Sequence, residues 1–130
     1  MLAIIQARLD SSRFPGKSLK SIYGKAMIQR VYNRTKSAKE IKDVVVSIPK
    51  NKDNKRLENF CLKNNLKFYK GSLNNVSERM YKTAKKFKSK AFVRISGDSP
   101  LIDPILIDYA IKIFNKKKID LITNILKRSC

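Results

Sequence analysis

Histidine is absent from the chain, which removes imidazole catalysis and imidazole metal ligation from any reading of it. Cysteine is nearly absent: Cys61 and the terminal Cys130 are the only two. Two are too few for a disulfide framework or a thiolate zinc site, and their scarcity suits a reducing cytoplasm. No basic leader precedes a long apolar run at the N-terminus. Nor does any stretch approach the roughly 20 apolar residues of a spanning helix, so a cytoplasmic chain without membrane insertion is expected. Acids are few as well, ten against 30 Lys and Arg, for a formal net charge of +20.

That charge first suggests nucleic acid or an anionic membrane as partner. Its distribution argues otherwise. Of the cations 22 are Lys, scattered along the chain, with the densest run at Lys116, Lys117 and Lys118. No Arg-Gly-Gly repeat, RNP-type aromatic motif or zinc knuckle accompanies them, so they read as a solvated surface and nucleic acid is not an expected partner. The eight Arg say more, because Arg8, Arg13, Arg79 and Arg94 lie beside expected loops or strand ends. With 130 residues and 42% hydrophobic content, the whole chain (1–130) reads as one domain whose core needs no cross-links.

Short apolar β-branched runs alternate with amphipathic stretches. Strands are expected at Ala3–Ala7, Asp43–Ile48, Leu66–Tyr69, Ala91–Ile95 and Ile119–Thr123. Ile22–Lys25 reads as a turn and Asn51–Asn54 as a polar one. Helices are expected over Met27–Ala38, Arg56–Asn65 and Asn75–Lys88, and again from Asp103-Pro104 onward. Asn75 with Glu78 three residues on suggests a capping box, and Asp103 before Pro104 an N-cap followed by proline at the first helical position. The fourth helix is expected to bury Leu106, Ile107, Ala110, Ile111 and Phe114. Strict β-α alternation implies an α/β fold with a doubly wound, mostly parallel, Rossmann-like sheet. Ligands of such sheets bind beyond the carboxyl ends of the strands. The loops at 8–17, 71–75 and 97–100 all follow strands and therefore share that edge.

The first of these loops is dense in donors: Arg8, Ser11, Ser12, Arg13 and Lys17, punctuated by Pro15-Gly16. Cations and hydroxyls directly after a buried strand suit a polyphosphate. Gly16-Lys17-Ser18 resembles the end of a Walker A loop, but position 11 is Ser where that loop requires Gly, and Gly24 interrupts the helix that should follow. A cationic surface loop is the plain alternative. Asp98, in Gly97-Asp98-Ser99-Pro100, ends a buried strand on the same edge. It can hold Mg²⁺ against phosphate oxygens, or cap the following turn. Gly71-Ser72 and Arg79 can approach a base, ribose or phosphate, or form an ordinary strand–helix turn with a surface Arg.

Ala3–Val31 resembles the opening of the cytidylyltransferase family, which includes the spore coat polysaccharide biosynthesis protein F group and is related to the acylneuraminate and 3-deoxy-manno-octulosonate cytidylyltransferases. Gly71-Ser72 with Asn75, Val76 and Arg79 resembles the family's next segment, Val93–Pro104 its Val-Arg-Ile-Thr-Gly-Asp-x-Pro-Leu-Ile-Asp-Pro motif, and Asp120 with Asn124 a later strand. Asn75, Ser77 and Ala26 stand where Asp, Leu and Pro are usual, and family members are much longer. The resemblance implies a nucleotide-diphospho-sugar transferase fold of which this chain holds the nucleotide-binding part, with the acceptor and dimer-forming segments downstream. It implies transfer of CMP from CTP to an acidic sugar-type acceptor with release of pyrophosphate, with Mg²⁺ as cofactor, in cell-surface polysaccharide synthesis. Arg8, Ser11, Ser12, Arg13 and Lys17 would grip the triphosphate. Asp98 would bind the metal, and Ala7, Gly71, Ser72, Arg79 and Gly97 would line the nucleotide. Arg13, Lys17 and Asp98 would carry the transfer. The alternative is a non-catalytic module that binds nucleotide or RNA.

Overall fold

The computed structural model describes residues 1–10 and 12–123. Ser11, Asn124 and Cys130, all named above, lie outside the described residues. Four parallel strands form the sheet: β1 (Leu2–Gln6), β4 (Asp43–Pro49), β5 (Phe68–Gly71) and β6 (Phe92–Ser96), in the order β5-β4-β1-β6. Strand β1 lies between β4 and β6, and Ala3, Ile4 and Ile5 have no exposed surface. Being covered on both faces, it is apolar throughout instead of alternating.

The helices divide between the faces. α1 (Met27–Lys36), α2 (Lys55–Lys63) and α4 (Pro104–Lys116) cover one, where Ala3, Ile5, Val44 and Val46 meet Ile28, Val31, Leu57, Cys61, Ile107 and Ile111. α3 (Val76–Lys86) covers the other, setting Met80 and Ala84 on Leu2, Ile4 and Val45. Each fully buried aliphatic side chain contributes about 1.5–3 kcal/mol by transfer from water. A small hairpin, β2 (Ser21–Ile22) and β3 (Lys25–Ala26), precedes α1. Its two central residues, Tyr23 (φ 46°) and Gly24 (φ 78°), both take the left-handed backbone that a two-residue loop of this twist demands.

Both anticipated caps form, one of them by half. Asp103 accepts the amide of Ile105 at 2.8 Å, with Pro104 opening α4. Asn75 accepts the amide of Glu78 at 2.8 Å, but the reciprocal arm of a capping box is replaced: the Asn75 amide goes to the Ser72 hydroxyl at 3.1 Å and Glu78 pairs with Lys82.

Two expectations fail. Ile119–Thr123 forms no strand, and Leu121 is 79% exposed. Residues 119–123 enter no ladder with β1, β4, β5 or β6, and β-branched residues favour a strand only where a sheet surface receives them. Leu106, expected in the core, is 55% exposed, and Ile105 and Tyr109 beside it are exposed too, at 75% and 63%. The apolar stripe of α4 is wider than the surface α1 offers it. α4 is held there by polar ties: Asp108 accepts the amides of Lys39 (3.0 Å) and Glu40 (2.7 Å), and Arg34 donates to the Ile102 carbonyl at 2.7 Å.

Burial pushes the Cys61 thiol up to about 12. In a Cys130→Ser chain, Cys61 should therefore react with a disulfide reagent at pH 8 only as fast as the protein unfolds. Prompt labelling under native conditions would contradict the packing of α2.

Candidate functional site

Strand order reverses between β1 and β6, and the crevice of a doubly wound sheet opens at that point. Gln6 is level with Ser47 of β4 and Ser96 of β6, so the loops after β1 and β6 leave the sheet side by side. The Gly97 amide donates to the Gln6 carbonyl at 2.8 Å. A Cβ at residue 97 would stand 2.7 Å from that oxygen and 3.0 Å from the Ala7 methyl, so only glycine lets the two strand ends approach this closely.

The loop after β1 is closed at its neck. Leu9 is buried, and its amide donates to the Asn54 side-chain oxygen at 2.8 Å while its carbonyl accepts the Gly16 amide at 2.9 Å. The Ser18 hydroxyl donates to the Arg8 carbonyl at 3.2 Å. Gly16 turns with φ 71°, and a short 3₁₀ turn, Lys17–Leu19, follows. Ser12 and Arg13 are left exposed at the tip. Among the described residues no hydrogen bond or ion pair joins Arg13 to Asp98.

Lys17 is gathered with Asp98. Its ammonium lies on Asp98 Oδ2, while the Ser96 hydroxyl donates to Oδ1. The Lys17 ammonium first, then the Ser96 hydroxyl, hold the Asp98 carboxyl below its ordinary value of 3.8. Among the described residues no three acidic or Cys side chains stand together as a cluster that could hold a metal ion.

A second charged group forms where β1 and β5 end. Arg79, which could have been a surface residue, is 1% exposed. It donates to the Ser72 carbonyl, while its Nε–H finds no partner among the described residues. Burial lowers its pKa, the Arg8 charge lowers it further, and Asp10 opposes both. Asp10 stands 4.0 Å from the Arg8 guanidinium, an ion contact and not a hydrogen bond. Gly71 makes room for this arginine: a Cβ there would stand 2.8 Å from Arg79 Cγ. Ala7, buried at the head of the loop, donates its amide to the Ser47 carbonyl at 3.2 Å.

The sequence reading missed Asn54, which is 1% exposed and also donates to Asn51. Within a polar run such as 51–54 nothing in composition separates a buried clamp from a solvated turn. Ser96 was missed too, although a hydroxyl two residues before the key carboxylate was a readable signal. A separate concavity of about 420 Å³ lies at the end of β4, beside Lys50, Lys52, Lys55 and Lys70. Glu58 already answers two of these, at 3.3 Å from Lys55 and 3.0 Å from Lys70.

A family model described as Cytidylyltransferase matches residues 2–128. Over 109 residues the chain is 36% identical to the 3-deoxy-manno-octulosonate cytidylyltransferase of Geobacter sulfurreducens, covering 84% of this chain and 43% of that one. It is 29% identical over 116 residues to the spore coat polysaccharide biosynthesis protein SpsF of Bacillus subtilis, covering 86% and 48%. A solved cytidylyltransferase from Leptospira borgpetersenii superposes with TM-score 0.83 at 30% identity, over 90% of this chain and 50% of the other. A CMP:2-keto-3-deoxy-manno-octonic acid synthetase solved with CTP gives TM-score 0.74 at 27% identity, over 88% and 47%. The chain thus spans about half the length of these relatives.

Two outcomes follow from the geometry. Asn54→Leu should strand the Leu9 amide, costing about 1–3 kcal/mol in urea unfolding and removing hydrogen-exchange protection at Leu9. Unchanged protection would show that the neck closes without Asn54. The Asp98 carboxyl carbon should titrate with a midpoint below 3.8 by NMR, and Lys17→Met should raise it. A folded pKa below the unfolded one means that the pair's stabilisation is complete above the unfolded value and lost as pH falls through the folded midpoint.

Proposed function

The chain belongs to the cytidylyltransferase family, and from that premise we propose that it is the nucleotide-binding part of an enzyme that transfers CMP from CTP to an acidic sugar, releasing pyrophosphate, in the synthesis of cell-surface polysaccharide. The observation that carries this reading is the meeting of Lys17 with Asp98 where strand order reverses. A cation from the loop after β1 and a carboxylate from the loop after β6 stand together at the crevice, ready to face the two halves of a metal–triphosphate complex.

The donor set fits Mg²⁺. That ion takes one or two carboxylates and completes its shell with water and substrate phosphates, which a single half-exposed carboxylate permits. Asp98 would hold it, and when bound it would supply positive charge against the phosphate oxygens.

The rest falls to the chain's own groups. Lys17, Arg8 and Ser11, with Ser12 and Arg13 on the exposed tip, would take the triphosphate through charge-assisted hydrogen bonds. The closed neck at Leu9 and Gly16 holds that tip on the sheet edge, so the orientation is supplied before the substrate arrives. Ala7, Gly71, Ser72 and Gly97 would pack against the nucleoside, and the unpartnered Arg79 Nε–H is a buried donor facing the same loop ends. An acceptor oxygen attacking the α-phosphorus in line breaks the bond to the β-phosphate and releases pyrophosphate. No covalent enzyme intermediate is required. Cys61 could not form one, being buried and protonated at neutral pH.

Calorimetry tests the reading. The chain should bind CTP·Mg²⁺ in preference to UTP·Mg²⁺, and Lys17→Ala should weaken that binding by roughly tenfold or more, the scale of one lost charge-assisted contact. Equal affinity of wild type and variant would remove the triphosphate from this loop.

A further inference from the structure

We propose that Lys17 is a built-in counter-ion of Asp98 which an incoming triphosphate draws away, so that metal and nucleotide bind with positive coupling and metal alone binds poorly. The proposal rests on the functional reading above and adds how the site is loaded.

Both oxygens of Asp98 are already engaged, Oδ2 by the Lys17 ammonium and Oδ1 by the Ser96 hydroxyl. A divalent cation at Oδ2 would have to sit beside that ammonium, against like-charge repulsion. The chain's net charge of +20 adds to the cost of admitting a bare dication. Lys17 in turn donates to no other described acceptor. Its side chain is 31% exposed and that of Asp98 43%, so the pair is a surface contact of low net worth that opens readily, not a buried structural bridge.

The ammonium is free to move although its backbone is not. Gly16 and Ser18, on either side of Lys17, are tied to Leu9 and Arg8, which leaves the four-carbon stem as the moving part. A triphosphate at the exposed tip offers Lys17 several negative oxygens in place of one carboxylate. Once the ammonium swings to them, Asp98 Oδ2 is open to a cation that the same phosphates help to hold. Linkage is reciprocal: whatever factor the nucleotide contributes to metal affinity, the metal contributes to nucleotide affinity. Before loading, the pair keeps Asp98 from collecting stray cations.

The test reads binding, not turnover, on the full 130-residue chain. Free Mn²⁺ is counted by electron paramagnetic resonance without nucleotide. Lys17→Met should bind Mn²⁺ about three- to tenfold more tightly than wild type, the scale of one relieved surface like-charge contact. Lys17→Arg, which keeps the charge, should stay near wild type, and Asp98→Asn should abolish the gain in the Lys17→Met background. A Lys17→Met chain with a native amide spectrum and no tighter Mn²⁺ binding overturns the proposal. A second measurement needs no variant. When CTP is added to wild type in EDTA, the Asp98 carboxyl-carbon resonance should shift as the ammonium leaves. A stationary resonance with CTP bound by calorimetry overturns the handover and leaves the functional reading standing. Failure of CTP to bind at all, with or without Mg²⁺, overturns both.

Discussion

The hydrogen bond from the Gly97 amide to the Gln6 carbonyl sets how the candidate site is placed. It joins the last residue of β1 to the first residue beyond β6 at a distance only glycine tolerates. Two loops that are some 80 residues apart in sequence thereby begin from one point, and Lys17 reaches Asp98 across the gap. Parallel pairing of β1 with β6 brings the ends level; the close approach at Gly97 turns level ends into a shared site. Any side chain at 97 would push the strand ends apart and with them the cation and the carboxylate.

The site is supported by polar contacts that contribute little to overall stability and much to position. Asn54 and Gly16 clamp Leu9 from two sides, so the donor-rich tip projects from a fixed base. Arg79 goes further, burying a guanidinium under Gly71 with, among the described residues, only the Ser72 carbonyl as hydrogen-bond acceptor. A buried cation with a spare N–H is costly unless something answers it. Its proximity to Asp10 offsets part of that cost, and an anion at the loop ends would offset more. Most of the remaining positive charge is dispersed Lys on exposed surface, consistent with a charge that shapes the protein's field and not its fold.

What could be read in the residues followed from local rules that the tertiary structure did not override. Leu2–Gln6 and Asp43–Pro49 are apolar and rich in β-branched residues because both faces are covered, and such runs announce themselves. Asn75 and Asp103 cap helices because their short side chains reach the first free amides, a relation contained within a few residues. Lys17 and Asp98 were recognisable as loop residues after buried strands, and the motifs around them resemble those of one family. Asn54, Arg79 and Leu106 could not be placed this way. Whether a polar residue in a turn is buried, whether an arginine on a helix faces the sheet, and how wide a helix face its neighbour covers all depend on contacts between segments distant in sequence.

The chain order of strands and helices, the caps, the donor-rich loop and the lone carboxylate after β6 were determined by the sequence itself, through periodicity, β-branching and turn chemistry acting over a few residues. The sheet order β5-β4-β1-β6, the packing of α4 against α1 and the lack of a described strand at Ile119–Thr123 were decided only in three dimensions. So was the contact of Lys17 with Asp98. The reason is the same in each case: a strand needs a partner, a helix a surface and an ion pair two ends brought together, and none of these is a property of the segment that uses it.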